Sequence, residues 1–315
     1  MKPTNSELES RPSSGTNKRR RVSVFFIIFT IVFVLSAAGL IYTLVIVPRM
    51  NDQINSDIKE IYYSDGTSEE NSESSRVLRL SKINADIKGW IHVPNTKIDY
   101  PVLQSAQDPE YYLYRDYNKN YSKYGSIFID SSCDLSDKQG NIILHGHHMR
   151  DGKMFANLKK FTSLDFYKSS PVVTFDTLEG TGKWKIISVF KTNTLRKHGP
   201  VFNYLRSDFS NKSDFLNYIY QVRMRSLINC PVDINDSDTL LTLSTCSYEF
   251  KEFRTVVVAR KVREGEDESV DVYKATKTVN PLMPECWYER YGGSPPTMTD
   301  FEDALKSGKI NWYNQ

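Results

Sequence analysis

From Trp90 onward the chain consists of short runs of aliphatic, β-branched and aromatic residues, separated by Gly, Pro and Asn. This pattern predicts short strands, and eight of them in one chain favour a mainly β fold with a closed or nearly closed barrel. The first six predicted strands are residues 90–93, 98–102, 126–129, 141–144, 172–175 and 183–191. The seventh starts at Thr239 and ends at Cys246, and the eighth covers residues 255–259, just after Arg254.

Apolar residues at helical spacing predict four helices. Two lead into the barrel, at residues 50–62 and 76–88, and two interrupt it, at residues 154–166 and 213–228. Ser213 is the expected N-cap of the last helix. The apolar residues of that helix form one stripe and are Phe215, Leu216, Ile219, Val222 and Leu227. We expect the stripe to pack against the barrel rather than to bind a partner.

A stretch of 26 residues without a charge, residues 22–47, precedes these elements. At about 1.5 Å per residue it makes about 39 Å of helix, enough to cross a ~30 Å hydrocarbon core. Four basic residues lie before it and Arg49 lies after it, so the positive-inside bias puts the N-terminus in the cytoplasm and residues 48–315 outside the cell. A cleaved signal peptide is the alternative, but the apolar run continues past the small residues at 36–38, which favours an anchor.

These patterns divide the chain into five parts. Residues 1–21 are a basic cytoplasmic tail, 22–47 a transmembrane anchor, 48–76 a linker with a juxtamembrane helix, 77–263 the barrel and 264–315 a C-terminal tail to which the sequence assigns no role. The linker is rich in Ser, Glu and Asn, a composition typical of a solvated segment. It is expected to hold the barrel away from the membrane.

Composition excludes some functions. With 39% hydrophobic and 25% charged residues, the 315-residue chain can bury one sizeable core. The net charge of +3 comes from the N-terminal tail, because residues 1–21 carry a local charge of +4 and the rest sums to about −1. A basic surface confined to the membrane flank does not indicate nucleic-acid binding.

The four cysteines could form two disulfides in three pairings. Their spacings do not resemble a metal site, and a large globular domain has no need of disulfides. We therefore expect Cys246 to be a free thiol, and Cys133, Cys230 and Cys286 to be small buried apolar residues.

Cys246 has a cation close to it in sequence. Seven residues separate it from Arg254, too few for a crossover but enough for a hairpin, so two antiparallel strands should hold the thiol and the guanidinium side by side. A permanent positive charge makes a thiol easier to ionise, and the thiolate is the nucleophilic form. The pair predicts a cysteine nucleophile.

Three histidines, His145, His147 and His148, directly follow the predicted strand at 141–144 and should lie at one end of the barrel. They raise the hypothesis of a metal site, but a closed zinc site needs about four ligands, usually from two separated pairs. The sequence has no second Cys or His pair at such spacing, so we predict no metal. Each residue alone is often structural; together with Cys246 and Arg254, His147 is the expected acid–base group.

With these residues the chain resembles the sortases, the membrane-anchored cysteine transpeptidases of Gram-positive bacteria, over roughly residues 84–263. Residues 242–246, Thr-Leu-Ser-Thr-Cys, match the family's TLxTC nucleophile motif. Gly146 and His147 match its catalytic histidine motif, and Arg254 falls where its arginine is expected.

Other segments are similar to particular parts of the family. Residues 84–91, 98–102 and 125–130 look like its early-strand signatures. The N-terminal helices, residues 111–113 and the helix at 213–228 look most like class B, and the chain shows no lid motif of the pilin-polymerising class C. The tail after residue 263 departs from the usual class B ending.

The resemblance implies an acyl transfer without a cofactor. Cys246 would attack the Thr carbonyl of an NPxTN-like or LPxTG-like sorting signal near the C-terminus of a secreted protein, and an acyl-enzyme would form. His147 would protonate the departing amine and then deprotonate an amine of a peptidoglycan precursor, while Arg254 would donate to the oxyanion or to the substrate backbone. His145, Ser244 and Thr245 are the candidate substrate contacts.

Two other functions remain as alternatives. Another thiol enzyme of the cell wall, a protease or an L,D-transpeptidase, tends to place its cysteine in a different motif. A non-catalytic, membrane-anchored binding module would tolerate the loss of Cys246.

Overall fold

The computed structural model describes residues 18–64, 73–106, 108–135 and 140–314. Most of the predicted basic tail and residues 65–72 of the predicted linker lie outside the described residues. The chain divides into two compact units, Met1–Ile54 and Asn55–Gln315. Each unit is described by itself.

The first unit is helical where it is described. α1 (Lys18–Ile41) is followed by a π-helical turn (Tyr42–Ile46) and by α2 (Val47–Tyr63), which continues into the second unit. From Val24 the helical region is long enough and apolar enough to cross a membrane, and none of its most apolar window is buried inside the protein. This arrangement is compatible with a single-pass membrane protein.

The second unit contains most of the regular structure. Besides the end of α2, its α-helices are α3 (Glu73–Ile83), α4 (Leu164–Ser169), α5 (Lys212–Arg225), α6 (Glu285–Tyr291) and α7 (Phe301–Lys306). Its strands are β1 (Ile87–His92), β2 (Asp99–Leu103), β3 (Ile127–Ile129), β4 (Asn141–His145), β5 (Val172–Thr177), β6 (Gly180–Asn193), β7 (Ile228–Asn229), β8 (Leu240–Ser247), β9 (Phe253–Lys261) and β10 (Thr276–Lys277).

Eight of the strands form a closed barrel in the order β1, β2, β3, β4, β8, β9, β6, β5, with β5 pairing back onto β1. The neighbours are antiparallel except for β2 with β3 and β4 with β8, which are parallel. The predicted eight-stranded barrel is therefore confirmed. The two short strands β7 and β10 pair with each other outside it.

Two of the predicted helices are shortened or divided in the structure. The helix predicted at 76–88 ends at Ile83, and Ile87 begins β1, paired with Leu103 of β2. The helix predicted at 154–166 is a 3-10 helix (Phe155–Thr162) followed by α4. Ser163 has an extended backbone (φ −92, ψ 129) between the two, so one continuous helix is not possible there.

The long helix α5 begins at Lys212, and its N-cap is Asn211 rather than the predicted Ser213. The Asn211 side chain accepts a hydrogen bond from the Asp214 N–H at 3.0 Å, which satisfies one of the free donors of the first turn. The helix also stops earlier than predicted. Ser226 is extended (ψ 131), and its hydroxyl donates to the Ile228 carbonyl.

The apolar stripe of α5 packs against the barrel, as expected, although its fifth predicted member, Leu227, lies beyond the end of the helix at Arg225. Phe215, Leu216, Ile219 and Val222 are buried in one cluster with side chains of β6 and β9. Helix α7 adds Phe301 to the same cluster. The C-terminal segment is thus packed against α5.

Candidate active site

The parallel pairing of β4 with β8 places the histidine segment beside the nucleophile strand. His145 lies opposite Ser244 in the register. Beyond that pair, the Gly146 N–H donates to the Ser244 carbonyl at 3.3 Å, and the Thr245 hydroxyl donates to the Gly146 carbonyl at 2.8 Å. The two chains therefore stay attached past the end of β4, and His147 follows at the level of Cys246.

The antiparallel pairing of β8 with β9 places Cys246 directly opposite Arg254. The predicted hairpin is present, with a turn between Ser247 and Phe253. Both side chains are half-buried. Directly opposed residues of antiparallel strands have their Cβ atoms about 4.5–5.5 Å apart. The Arg254 guanidinium can therefore contact a group that is bound to the Cys246 thiol.

His147 is fixed by a carbonyl from a distant segment. Its Nε2 lies 2.8 Å from the Leu113 carbonyl oxygen. Because a carbonyl only accepts, Nε2 carries the proton and Nδ1 is the nitrogen that can accept one. Burial lowers the pKa of His147 below its ordinary value, more than the Leu113 contact raises it. The imidazole is accordingly neutral at neutral pH.

Gly146 is required by the space available before His147. A Cβ at this position would lie 2.5 Å from Ile127 Cδ1 and 2.8 Å from Phe155 Cδ2. The glycine lets the chain pass close to these two side chains, and the Phe155 N–H donates to the His147 carbonyl at 2.9 Å. The ring of Tyr114 lies 5.3 Å from the His147 ring, centroid to centroid.

His148 is a residue whose place in the site the sequence did not indicate. Its Nδ1 donates to the Cys246 carbonyl at 2.7 Å, and burial lowers its pKa. The Tyr248 ring lies 4.8 Å from the His148 ring, and the Tyr248 hydroxyl donates to the His148 carbonyl at 2.7 Å. His148 therefore connects the segment after β4 to Cys246 through a hydrogen bond.

Arg254 keeps most of its hydrogen-bonding capacity. Its NH1 donates to the Phe253 carbonyl at 3.1 Å, and its NH2 lies 3.2 Å from Glu252 Oε2. A guanidinium has five N–H donors, so several lack a partner among the residues that the structure describes. They are available to a substrate oxygen.

The three candidate substrate contacts differ in accessibility. Ser244 is buried, and its hydroxyl lies 2.9 Å from the equally buried Tyr204 hydroxyl. Thr245 is buried and bonded to Gly146. His145 remains 23% exposed and lies 2.9 Å from Asp130 Oδ2, a contact that holds the pKa of Asp130 well below its usual range. Of the three side chains, His145 is the one within reach of solvent.

All four cysteines are free. Cys133, Cys230 and Cys286 are buried, and burial raises the pKa of both Cys133 and Cys230 to about 11. A buried thiol with a raised pKa is a poor nucleophile. Among the described residues there is no group of three His, Cys, Asp or Glu side chains that could hold a metal ion.

The chain is similar to known proteins of one family. A family model described as a sortase domain matches residues 91–262. Sortase B of Staphylococcus aureus is 36% identical over 186 residues, which are 58% of this chain and 73% of that protein. Sortase B of Listeria monocytogenes is 34% identical over 220 residues, 68% of this chain and 86% of that protein.

The chain also aligns with solved structures of sortase B. A Staphylococcus aureus sortase B–substrate complex aligns with a TM-score of 0.63 at 30% identity, covering 69% of this chain and 99% of the other. Sortase B of Clostridium perfringens aligns with a TM-score of 0.53 at 36% identity, covering 59% of this chain and 99% of the other. The family match ends just after the last barrel strand, before α6 and α7.

Proposed function

This chain belongs to the sortase family, as a class B sortase, and from that premise we propose how its residues carry out the reaction. A sortase of this class is a cysteine transpeptidase that anchors surface proteins. The observation that carries our assignment is the strand register, which puts Cys246 opposite Arg254 and beside the segment that holds His147.

In the first half of the reaction, Cys246 Sγ attacks the Thr carbonyl of the sorting signal. The thiol proton passes to His147 Nδ1, since Nε2 is already bonded to Leu113. Arg254 donates hydrogen bonds to the oxyanion that develops on the carbonyl. When the peptide bond breaks, His147 gives the proton to the departing amine, and the Thr carbonyl remains as a thioester on Cys246.

In the second half, an amine attacks the thioester. His147 Nδ1 takes a proton from that amine and returns it to the Cys246 sulfur as the new amide bond forms. We propose that the signal is NPxTN-like or LPxTG-like and that the amine belongs to a peptidoglycan precursor. We also propose that the N-terminus is cytoplasmic and the barrel lies at the Gram-positive cell surface, on the charge asymmetry around residues 22–47.

Peptide cleavage tests this assignment. The full chain in detergent is incubated with a library of sorting pentapeptides and an amine, and the products are identified by mass spectrometry. We expect a cut after Thr and a Thr–amine adduct. Cys246→Ala and His147→Ala should abolish both, while the matched control Cys230→Ala, which removes a buried thiol, should keep them. Turnover in Cys246→Ala, or cleavage at another bond, would contradict the assignment.

A further inference from the structure

Helix α6, in the segment after the barrel, lies against the turn that joins Cys246 to Arg254. Arg290 of α6 donates to the Glu249 carbonyl at 3.3 Å, and its guanidinium lies 5.3 Å from the centre of the Phe250 ring. Trp287 also faces Phe250, at 6.3 Å between ring centroids. At the start of the helix, the Cys286 N–H donates to the His198 carbonyl. Helix α6 is therefore held against the turn by these contacts.

A cavity of 560 Å³ opens between the turn and the helix. It is lined by residues 246–254 and, from α6, by Arg290. One wall thus carries the nucleophile and Arg254, while α6 contributes a second guanidinium to the cavity. The family match ends at residue 262, so this contribution comes from a part of the chain outside the sortase domain model.

The charges of this cavity do not balance. Both acidic residues in its lining already have basic partners, since Glu249 pairs with Lys191 and Glu252 pairs with Arg254. Arg290 and Lys251 have no carboxylate within 4.0 Å among the residues that the structure describes. Arg290 is exposed, and its guanidinium is held over the rings of Phe250 and Tyr291. An unneutralised, oriented guanidinium is a fitting partner for a carboxylate.

We propose that Arg290 binds a carboxylate of a substrate next to the reacting thiol, and that helix α6 thereby sets substrate selectivity. This inference rests on the proposed function of Cys246. The carboxylate could be carried by the incoming amine acceptor or by the residue that follows the cleaved bond of the sorting signal. Both sources offer the same chemistry to Arg290.

Two comparisons distinguish the sources, each made with the full chain in detergent. The first uses triglycine and triglycinamide as acceptors, which share the attacking amine and differ in the carboxylate. The second uses sorting peptides with Glu or Gln after the scissile bond. We expect the carboxylate form to be preferred in kcat/KM by about threefold to tenfold in one of them, the range of a charge-assisted contact at a partly exposed site.

The variant Arg290→Gln should remove that preference, because it keeps a planar polar side chain but loses the charge. Lys306→Gln on α7, which removes a cation of the same segment away from the cavity, should retain it. The preference is a ratio within one enzyme, so a general loss of activity does not change it. Equal use of both forms by the unchanged chain, or a preference that survives Arg290→Gln, would overturn the proposal. Failure of the proposed function would instead remove all adducts.

Discussion

At the scale of single residues, Arg254 is the side chain of the site whose proposed role depends most on the geometry of its N–H donors as well as on its charge. It faces Cys246 across the strand pair and keeps several N–H donors for a substrate. A lysine has the charge but not the planar fork of donors. We expect Arg254→Lys to lower kcat/KM by about 100-fold, the usual cost of a lost oxyanion donor.

Steady-state cleavage of the preferred sorting peptide measures this effect. Arg206→Lys is the matched control, because it makes the same exchange in an ion pair with Asp214 at the start of α5. Near-normal turnover of Arg254→Lys would remove Arg254 from its proposed role.

The two histidines beside Cys246 also predict a dependence of stability on pH. Burial lowers the pKa of His147 and of His148 in the folded protein, whereas an unfolded histidine titrates near about 6.5. Below that pH the unfolded chain binds more protons than the folded one, so stability falls as the pH drops. The carboxylates with lowered pKa values, such as Asp130, act in a more acidic range.

We therefore expect the thermal unfolding temperature to fall as the pH goes from about 7 to 5, below the pKa of an unfolded histidine. His147→Gln should show a smaller fall, with the remainder due to His148. Calorimetry at a series of pH values measures both. An unfolding temperature that stays constant over this range in the unchanged chain would refute the linkage.

The sequence was sufficient to predict the nucleophile hairpin, because Cys246 and Arg254 are only eight residues apart and lie in strands. It could not show which nitrogen of His147 carries the proton. That depends on the carbonyl of Leu113, 34 residues earlier in the chain. The role of His148 depends on Cys246, 98 residues later. Contacts over such distances leave no local pattern in the sequence.

At the scale of elements, the end of α2 contacts both β1 and β5, the two strands whose pairing closes the barrel. This pairing is called the seam below. Tyr62 stacks on Trp90 of β1 with ring centroids 4.2 Å apart, and its hydroxyl donates to Asp176 of β5. Trp90 and Asp176 are themselves opposed in the strand register. One side chain of the helix thus contacts both strands of the seam.

We expect Tyr62→Phe to lower the free energy of unfolding by about 1–3 kcal/mol, because buried Asp176 loses this donor while the ring stacking remains. Urea unfolding measures the change. Tyr63→Phe is the control, since Tyr63 is exposed and its partner Asp99 has further donors in Lys59 and Trp90. An equal effect of the two substitutions would show that the Asp176 contact adds nothing.

The bounds of the elements show where local signals were insufficient. Asn211 and Ser213 are both good N-cap residues, and the structure uses Asn211. Asp214, whose N–H bonds to Asn211, also accepts from Arg206, so a contact with the preceding loop helps to select this start. A tertiary contact of this kind cannot be read from the spacing of apolar residues.

At the scale of the whole catalytic unit, the segment after the barrel is joined to it at several places. Arg260 at the end of β9 is fully buried and pairs with Glu266 of that segment at 2.5 Å. Farther along, the Ile234 N–H donates to the Trp312 carbonyl at 2.8 Å. The barrel was predictable from its strands, whereas this packing comes from scattered single residues without a repeating pattern.

A substitution at Phe301 tests whether the segment after the barrel unfolds together with the barrel. It is 4% exposed and lies in the cluster of α5 and the outer barrel face. We expect Phe301→Ala to lower the free energy of unfolding by about 3–4 kcal/mol in a single urea transition, because it opens a cavity in a core that both parts share. Tyr273→Ala, at a position 93% exposed in the same segment, should change it little. An additional early transition in Phe301→Ala, with the main one unmoved, would instead mean that the segment unfolds on its own.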